Sequence, residues 1–145
     1  MKILYVCTGN TCRSPMAEAI TADLAKKRGL DDVVVQSAGT GCPYGDPMAE
    51  NAVKAIEARG IDFSHTSQKV TEQNLAESDA VICMTPILRF GIEKYVPEGR
   101  LFSANDFIGH EIPDPYGGSP EVYEECAKQL EKLAAAVLDK LCGTK

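Results

Sequence analysis

A thiol and a guanidinium lie six positions apart near the start of this sequence, in the run Cys7-Thr8-Gly9-Asn10-Thr11-Cys12-Arg13-Ser14. The apolar run 1–6 before it predicts a β-strand. Pro15 after it predicts the first turn of a helix, with Ser14 as the N-cap. The loop between them can aim several backbone N–H groups and the positive end of a helix at one point. A phosphoryl dianion fits that point, and the same field stabilises the thiolate form of Cys7.

This arrangement predicts displacement chemistry at phosphorus. Cys7 is the predicted nucleophile and would form a phosphocysteine that water later hydrolyses. The loop amides and the planar fork of Arg13 would hold the phosphoryl oxygens while charge redistributes. Ser14 could donate to the thiolate, cap the helix, or do both. A Cys-x5-Arg spacing alone occurs by chance in many chains, but the Gly9-Asn10 turn, the strand and the helix start favour a phosphate-monoester hydrolase.

The same chemistry requires a proton donor for the leaving group, and the spacing leaves three candidates. Asp46 and Asp114 each precede a proline in a predicted turn, and Asp106 lies in a predicted loop. An aspartate in a turn usually only forms that turn. Asp46 is expected to begin the helix that follows it.

Strand and helix patterns alternate along the chain. Strands are predicted at 1–6, 31–37, 80–84 and 100–102, and helices from 14 to about 28 and at 47–59, 71–77, 86–94 and 119–141. The apolar stripe of the last helix is Val122, Cys126, Leu130, Leu133, Val137 and Leu141. This order predicts an α/β fold: one three-layer domain over 1–145, with a four-stranded parallel sheet, helices on both faces and the phosphate-binding loop after the first strand. Ligands of such sheets bind beyond the carboxyl ends of the strands, where Cys7 falls.

Composition narrows the class of protein. The 145 residues are 44% hydrophobic and have a net charge of −6, which disfavours nucleic acid and anionic membranes as partners. A core strand at the N-terminus, without a charged segment and an apolar signal region, predicts that the chain is not exported. The spacing of the six cysteines resembles neither a disulfide scaffold nor a zinc site, so we expect reduced thiols, no metal and a cytoplasmic location.

Four segments, in order, resemble the low-molecular-weight protein tyrosine phosphatases over essentially the whole chain. They are the run from Val6 to Glu18, Ser37-Ala38-Gly39, Gly60-Ile61 with His65, and Asp114-Pro115-Tyr116-Gly117. The resemblance implies a protein phosphatase that acts on phosphorylated proteins without a cofactor, and we expect a monomer. It selects Asp114 as the general acid beside Cys7 and Arg13. The implied substrate-binding residues are Thr8, Gly9, Asn10, Thr11, Cys12, Ser14 and Tyr116. It also implies that Ser37 and His65 hydrogen-bond around Asn10, which is expected to adopt a left-handed backbone conformation.

Two features bear on the phosphorylated side chain. Tyrosine phosphatases of this family commonly carry an aliphatic residue, often Ile, where this chain has Thr11, and many carry a second Tyr where Gly117 stands. The protein-arginine phosphatases of the family resemble this chain at Thr11 and at Gly117-Gly118. A hydroxyl at Thr11 can accept a hydrogen bond from a phosphoguanidine, so phosphoarginine is the favoured substrate and phosphotyrosine the alternative. Tyr116 and Tyr44 are expected at the pocket rim.

Two other functions share parts of this pattern. Thioredoxin-coupled arsenate reductases have a similar loop but need a cysteine pair after the third strand, where this chain has only Cys83, inside the predicted strand. A binding module for phosphoproteins would have no need of Cys7, Arg13 and Asp114 together. A separate hypothesis is that peroxide oxidises Cys7 and that Cys12 captures it as a disulfide. Inactivation that dithiothreitol cannot reverse would contradict this hypothesis.

Overall fold

Four parallel strands form one sheet in the computed structural model, which describes residues 1–143. They are β1 (Lys2–Cys7), β2 (Val34–Gly39), β3 (Ala80–Cys83) and β4 (Leu101–Ser103), and their order across the sheet is β2-β1-β3-β4. The helices among these residues are α1 (Arg13–Lys27), α2 (Glu50–Glu57), α3 (Glu72–Glu77), α4 (Asn105–Ile108) and α5 (Pro120–Cys142), with 3₁₀ turns at Pro86–Arg89 and Glu93–Tyr95. The predicted fold class is confirmed, and the last two residues of the predicted domain lie outside the described residues.

Both faces of the sheet are buried, and β1 shows why. Its side chains alternate, so that Ile3, Tyr5 and Cys7 join one apolar cluster while Leu4 and Val6 join another. Residues of α1, α2 and α5 complete the first cluster, and Leu75 of α3 belongs to the second. A strand buried on both sides is a continuous hydrophobic run, which explains the apolar sequences of β1 and β3.

The parallel register decides where the functional loops emerge. Cys7 pairs with Gly39 of β2, and Val6 pairs with Cys83 of β3. Because all four strands run in the same direction, the segments that follow them leave from the same edge of the sheet. The cysteine loop therefore has the loops after β2 and β3 as its direct neighbours.

Two predicted helices differ from those observed. The segment 86–94 forms two short 3₁₀ turns, because Phe90 is extended with ψ 138° and Gly91 takes a left-handed φ of 85° between them. The helix predicted at 47–59 spans only Glu50–Glu57, since Pro47 forms a β-bridge with Thr66. The prediction that Asp46 begins this helix was therefore wrong.

Helix α5 and the loop before it contain further differences. Val122, placed in the apolar stripe, is exposed, and its neighbour Tyr123 is buried in its place. Asp106, predicted in a loop, lies within the single turn of α4. Among the described residues, no helix is long and apolar enough to cross a membrane.

Candidate active site

The loop between β1 and α1 forms the floor of a cavity of about 210 Å³ at the carboxyl edge of the sheet. Nine of the ten residues predicted for the site line it: Cys7, Thr8, Gly9, Asn10, Thr11, Cys12, Arg13, Asp114 and Tyr116. The tenth, Ser14, is fully buried behind the thiol. Residues more than 100 positions apart in the sequence thus meet around one thiol.

Cys7 lies at the bottom of this cavity, where polar groups surround its sulfur. Ser14 Oγ is 2.8 Å from Cys7 Sγ, and the backbone N–H of Asn10 donates to the sulfur at 3.3 Å. Within residues 1–143, the N–H groups of Gly9, Thr11, Cys12 and Arg13 have no protein acceptor. These donors and the N-terminus of α1 create a field that favours an anion at the sulfur and above it.

The predicted capping role of Ser14 was wrong. Helix α1 begins at Arg13, and its N-cap position, Cys12, makes no side-chain capping bond. Ser14 lies inside the first turn, where its hydroxyl contacts Cys7 Sγ and accepts a hydrogen bond from Asn10 Nδ2 at 2.8 Å. The hydroxyl therefore serves the thiol and the loop rather than the helix terminus.

Asn10 is the central residue of the loop. It is fully buried, and its φ of 53° is the left-handed conformation expected for it. Its Nδ2 also donates to Ser37 Oγ at 3.1 Å, while its Oδ1 lies 2.8 Å from His65 Nε2 and accepts from the backbone N–H of Gln68 at 2.9 Å. The expected hydrogen bonds of Ser37 and His65 are confirmed. The bond from Gln68 was not predicted, since a backbone donor 58 positions away leaves no signal in the sequence.

Glu18 extends this network on the side away from the cavity. Ser37 Oγ donates to Glu18 Oε1 at 2.7 Å, and His65 Nδ1 lies 3.7 Å from the same oxygen. Burial raises the pKa of Glu18 to about 7, and burial lowers the pKa of His65. Both shifts favour the neutral forms, so an ion pair is disfavoured here despite the short distance. No role for Glu18 was predicted from the sequence, although this residue lies one helical turn after Ser14.

The loop after β2 supports the cysteine loop from behind. Thr40 N–H donates to Cys7 O and Gly41 N–H donates to Thr8 O, both at 3.0 Å. A Cβ atom on Gly39 would lie 2.6 Å from Thr8 O and 2.7 Å from Cys42 Sγ. Only glycine fits this close backbone approach, which explains why the segment Ser37-Ala38-Gly39 ends in glycine.

Arg13 connects the cysteine loop to the acid loop, which we define as residues 112–118. The guanidinium is nearly fully buried, and its Nη1 donates to Ile112 O at 3.0 Å. Its Nη2 lies 3.8 Å from Asp114 Oδ2. One cation therefore fixes the start of the acid loop and also approaches its carboxylate.

Asp114 is the only one of the three candidate acids that the structure places at the cavity, as judged from the described residues. Its side chain is 54% exposed, and its Oδ1 accepts from Tyr116 N–H at 3.1 Å. Asp106 Oδ2 instead accepts from Ser103 N–H in a turn. The backbone of Asp46 bonds to Ser67, so this residue is part of a separate loop.

The rim of the cavity differs from the expectation in one aromatic residue. Tyr116 lies at the rim and is 77% exposed. Tyr44 was expected there too, but it lines a separate polar cavity, where the ammonium of Lys69 lies 5.6 Å from its ring centroid. Gly117 has a left-handed φ of 79°, which disfavours a tyrosine at this position.

Cys12 lies on the wall of the cavity, next to α5. Its Sγ is 3.3 Å from Tyr123 Oη, and burial raises the pKa of this thiol. The contact with Tyr123 was not predicted, because it joins residues 111 positions apart. The disulfide between Cys7 and Cys12 stays a hypothesis.

A parallel α/β sheet with a cysteine, an arginine and unpaired loop amides around one cavity has the architecture of a cysteine-dependent phosphatase. A family model described as low molecular weight phosphotyrosine protein phosphatase matches residues 2–144. The chain belongs to this family.

The relatives include both protein-arginine phosphatases and protein tyrosine phosphatases. A protein-arginine-phosphatase of Bacillus subtilis (strain 168) is 34% identical, and the match covers 97% of each chain. A structure of the YwlE arginine phosphatase, a cysteine-to-serine variant with a phosphorylated active-site serine, has a TM-score of 0.90 and 32% identity over 100% of this chain and 98% of that one. A low molecular weight protein tyrosine phosphatase from T. tengcongensis has a TM-score of 0.89 and 37% identity over 97% of this chain and 99% of that one.

Proposed function

We propose that this chain is a protein phosphatase that hydrolyses phosphoarginine through a phosphocysteine at Cys7. The observation that carries the proposal is the position of Thr11 on the wall of the cavity that contains Cys7, Arg13 and Asp114. The similarity to a protein-arginine-phosphatase over 97% of the chain supports the same substrate class. The cavity of about 210 Å³ has room for one phosphorylated side chain.

In the first step, the Cys7 thiolate attacks phosphorus and forms the S–P bond while the P–N bond to the guanidine breaks. The unpaired amides of the loop and the Arg13 guanidinium bind the three equatorial oxygens, where negative charge has to be stabilised. The protonated carboxyl of Asp114 gives its proton to the departing guanidine nitrogen. The hydroxyl of Ser14, 2.8 Å from the sulfur, stabilises the thiolate before attack.

In the second step, the Asp114 carboxylate removes a proton from water as the water oxygen attacks phosphorus. The S–P bond breaks, and its electron pair returns to Cys7 as a thiolate. Inorganic phosphate leaves, and Asp114 has regained the proton that it gave away. No oxidant or reductant enters the cycle, so the residues that line the cavity can complete it.

The selectivity for phosphoarginine is assigned to the hydroxyl of Thr11. A phosphoguanidine brings N–H donors into the cavity, and a buried donor without an acceptor costs about 1–3 kcal/mol. Thr11 can accept such a bond, whereas an isoleucine at this position cannot. The left-handed Gly117 leaves the aromatic wall with Tyr116 only, which reduces the surface for stacking on a phosphotyrosine ring.

Phosphotyrosine is the second candidate substrate. Tyr116 presents an exposed aromatic ring at the rim, suited to a flat substrate, and several relatives are tyrosine phosphatases. The proposal therefore depends on a direct comparison of the two phosphorylated residues.

The test measures phosphate release from phosphoarginine and phosphotyrosine peptides of matched sequence under reducing conditions. We expect wild type to prefer phosphoarginine, and Thr11→Ile to shift the ratio of kcat/KM about ten- to a hundred-fold toward phosphotyrosine. Thr11→Val is the matched control, because it removes the hydroxyl and keeps the branched shape. Wild-type preference for phosphotyrosine, or an unchanged ratio in both variants, would contradict the assignment.

Two other functions are less well supported. An arsenate reductase needs mobile thiols after the third strand, but Cys83 is fully buried inside β3 and burial raises its pKa to about 12. A binding module would function without Asp114. A Cys7→Ser variant that retains the biological activity of wild type would favour the binding module.

The chemistry of the Cys7 thiol bears on the cellular location and the partners of this protein. Cys7 must be a reduced thiol to act, and all six cysteines are free. This supports a reducing compartment such as the cytoplasm, with phosphorylated proteins as substrates. Cell fractionation tests the location, and detection of the protein in an oxidising compartment would contradict it. A monomeric state, and the absence of nucleic acid and membrane partners, stay predictions.

A further inference from the structure

We propose that Ile87 and Phe90 form a docking surface for an apolar side chain of the protein substrate, next to its phosphorylated residue. This inference rests on the proposed function, because it assumes a protein substrate at the Cys7 cavity. We call these two side chains the Ile87–Phe90 surface. The partner is a segment of the phosphoprotein that carries an apolar residue close to the phosphorylated one.

The Ile87–Phe90 surface is built by a 3₁₀ turn. The turn spans Pro86–Arg89, and Phe90 is the extended residue that follows it. Phe90 N–H donates to Ile87 O at 3.3 Å, which brings these two residues together. Leu88, between them, packs against the buried cluster that contains Leu4 and Val6. Leu88 therefore anchors the turn to the core. Ile87 is 71% exposed and Phe90 is 73% exposed.

The turn begins beside the catalytic groups. Met84, two residues before it, donates from its N–H to Val6 O at 2.9 Å and accepts at its carbonyl from Ile112 N–H at 3.0 Å. Val6 precedes the nucleophile, and Ile112 O is the acceptor for Arg13 Nη1. The chain thus leaves the sheet between the cysteine loop and the acid loop, at the carboxyl edge where the cavity opens.

The exposed apolar side chains are distributed unevenly over the molecule. Among the described residues, the large exposed ones are Met1, Val34, Tyr44, Ile87, Phe90, Tyr116 and Val122. Three of the seven, Ile87, Phe90 and Tyr116, lie on the segment after β3 or on the acid loop, at the carboxyl edge of the sheet where the cavity opens. The segment 84–92 has only one charged residue, Arg89, in a chain that is 25% charged. Such clustering at a site is typical of an interaction surface.

The size of the cavity explains why a protein substrate would need this surface. Ligand pockets commonly measure about 300–1,000 Å³, whereas this one has a volume of about 210 Å³. It can take the phosphorylated side chain, and the rest of the substrate must lie on the surrounding rim. An apolar neighbour of the phosphorylated residue would bury Ile87 and Phe90 from water, which favours binding.

The experiment uses a panel of phosphoarginine peptides in which each position flanking the central phosphorylated residue is Phe or Ser. For wild type we expect at least one position at which Phe raises kcat/KM about fivefold over Ser, mainly through KM. In the double variant Ile87→Ser with Phe90→Ser this ratio falls to within twofold. Hydrolysis of para-nitrophenyl phosphate, which has no flanking residues, keeps its kcat/KM. Val34→Ser is the matched control, since Val34 is 50% exposed at the opposite end of the sheet.

A second variant, Phe90→Leu, separates docking from a local structural change because it keeps an apolar surface. It should retain most of the preference for Phe. The inference is wrong if no flanking position shows a preference, or if the double variant retains the preference. It is also wrong if sedimentation shows that the double variant only converts a dimer into a monomer with the ratio unchanged. If phosphoarginine peptides are inert and phosphotyrosine peptides are cleaved, the proposed substrate class fails. The docking inference is then judged on the same flanking panel built around phosphotyrosine.

Discussion

Around Cys7 the side chains of Asn10, Arg13 and Ser14 are buried and hydrogen-bonded, whereas Asp114 and its neighbours Pro113 and Tyr116 are exposed. Asn10 and Ser14 are fully buried, and the two polar atoms of the Asn10 amide group have four partners. The acid loop is held by Arg13, by a bond from Ile112 N–H to Met84 O at 3.0 Å, by the turn from Gly118 N–H to Pro115 O at 2.8 Å, and by one long bond of 3.4 Å from Asn51. The cysteine loop that would bind the phosphoryl group is thus held rigidly by the fold, while the acid loop stays accessible to solvent and substrate.

This difference has a physical reason. A phosphate-binding loop stabilises charge best when its hydrogen-bond donors are already oriented, because reorientation during the reaction would cost free energy. A general acid must reach a leaving group that differs in position from one substrate to another, and must exchange protons with water. Substitutions in the two loops should therefore separate effects on stability from effects on chemistry.

The largest expected effect is that of Cys7→Ser. Removing the thiol should lower kcat/KM on the order of 10⁴-fold or more, because serine is a far weaker nucleophile here. The free energy of unfolding should change little, since the hydroxyl can occupy the same site beside Ser14. Steady-state kinetics and thermal unfolding check both statements. Cys142→Ser, at the end of α5, is the control and should keep wild-type activity. Retained turnover in Cys7→Ser would exclude Cys7 as the nucleophile.

The second largest effect is that of Asp114→Asn, which tests the acid loop without disturbing the cysteine loop. Loss of the proton donor should lower kcat about 10²–10⁴-fold. The free energy of unfolding should stay within about 0.5 kcal/mol of wild type, because the side chain is half exposed. The measurement is kcat on peptides together with denaturant unfolding. Asp46→Asn, in the other Asp-Pro turn, should have no effect on kcat. Equal losses in the two variants would show that Asp114 has no special role.

Asn10→Ala should affect both stability and activity, in contrast to Asp114→Asn. It removes the hydrogen bonds to Ser14 and Ser37, leaves the Gln68 N–H without its acceptor and places alanine at a left-handed position. We expect a loss of about 3 kcal/mol in the free energy of unfolding and a ten- to hundred-fold loss in kcat/KM. Urea unfolding measures the loss in the free energy of unfolding.

The matched control for Asn10→Ala is Asn51→Ala, which removes only the long bond to Gly118 O in the acid loop. It should cost less than about 0.5 kcal/mol. If the two alanine variants lose the same stability, the contrast between the two loops is incorrect.

The smallest effect on activity is expected for Glu18→Gln, and it appears mainly in the dependence of stability on pH. Burial raises the pKa of Glu18 from an ordinary 4.5 to about 7. Between these two values the folded protein binds more protons than the unfolded chain, so stability falls as pH rises through this window. A shift of this size lowers the free energy of unfolding by roughly 3 kcal/mol above pH 7.

Glutamine cannot ionise but can still accept the hydrogen bond from Ser37. The variant should therefore lose the decline between pH 4.5 and 7 and be more stable than wild type at pH 8, with kcat/KM within about fivefold of wild type. Thermal unfolding across this range is the measurement. The exposed Glu125→Gln should keep the wild-type slope. A slope that is the same in Glu18→Gln and wild type would contradict the buried, neutral state of Glu18.

Much of the fold could be predicted, because local chemistry and tertiary packing agree there. The runs that form β1 and β3 are apolar because both faces are covered, and their order with the helices implies a parallel sheet. The predictions failed where tertiary contacts overrode local preference. Pro86 suggested a helix start, but Leu88 packs inward and Gly91 turns the chain, so two 3₁₀ turns form. Ser14 resembled an N-cap, but its hydroxyl is used by Cys7 and Asn10 instead.

The sequence alone predicts the loop that contains the proposed nucleophile, because a strand, a Cys-x5-Arg run and a helix start are local features within some 20 residues. It also limited the acid to aspartates in turns or loops. The resemblance to the phosphatase family then selected Asp114, and the structure places this aspartate at the cavity. Only the folded structure reveals that Gln68 and Glu18 complete the network around Asn10 and that Tyr44 lies elsewhere. These contacts join residues that are distant along the chain or face each other across elements. Their partners are set by the register of the parallel strands and the packing of α1 and α5, which local spacing does not encode.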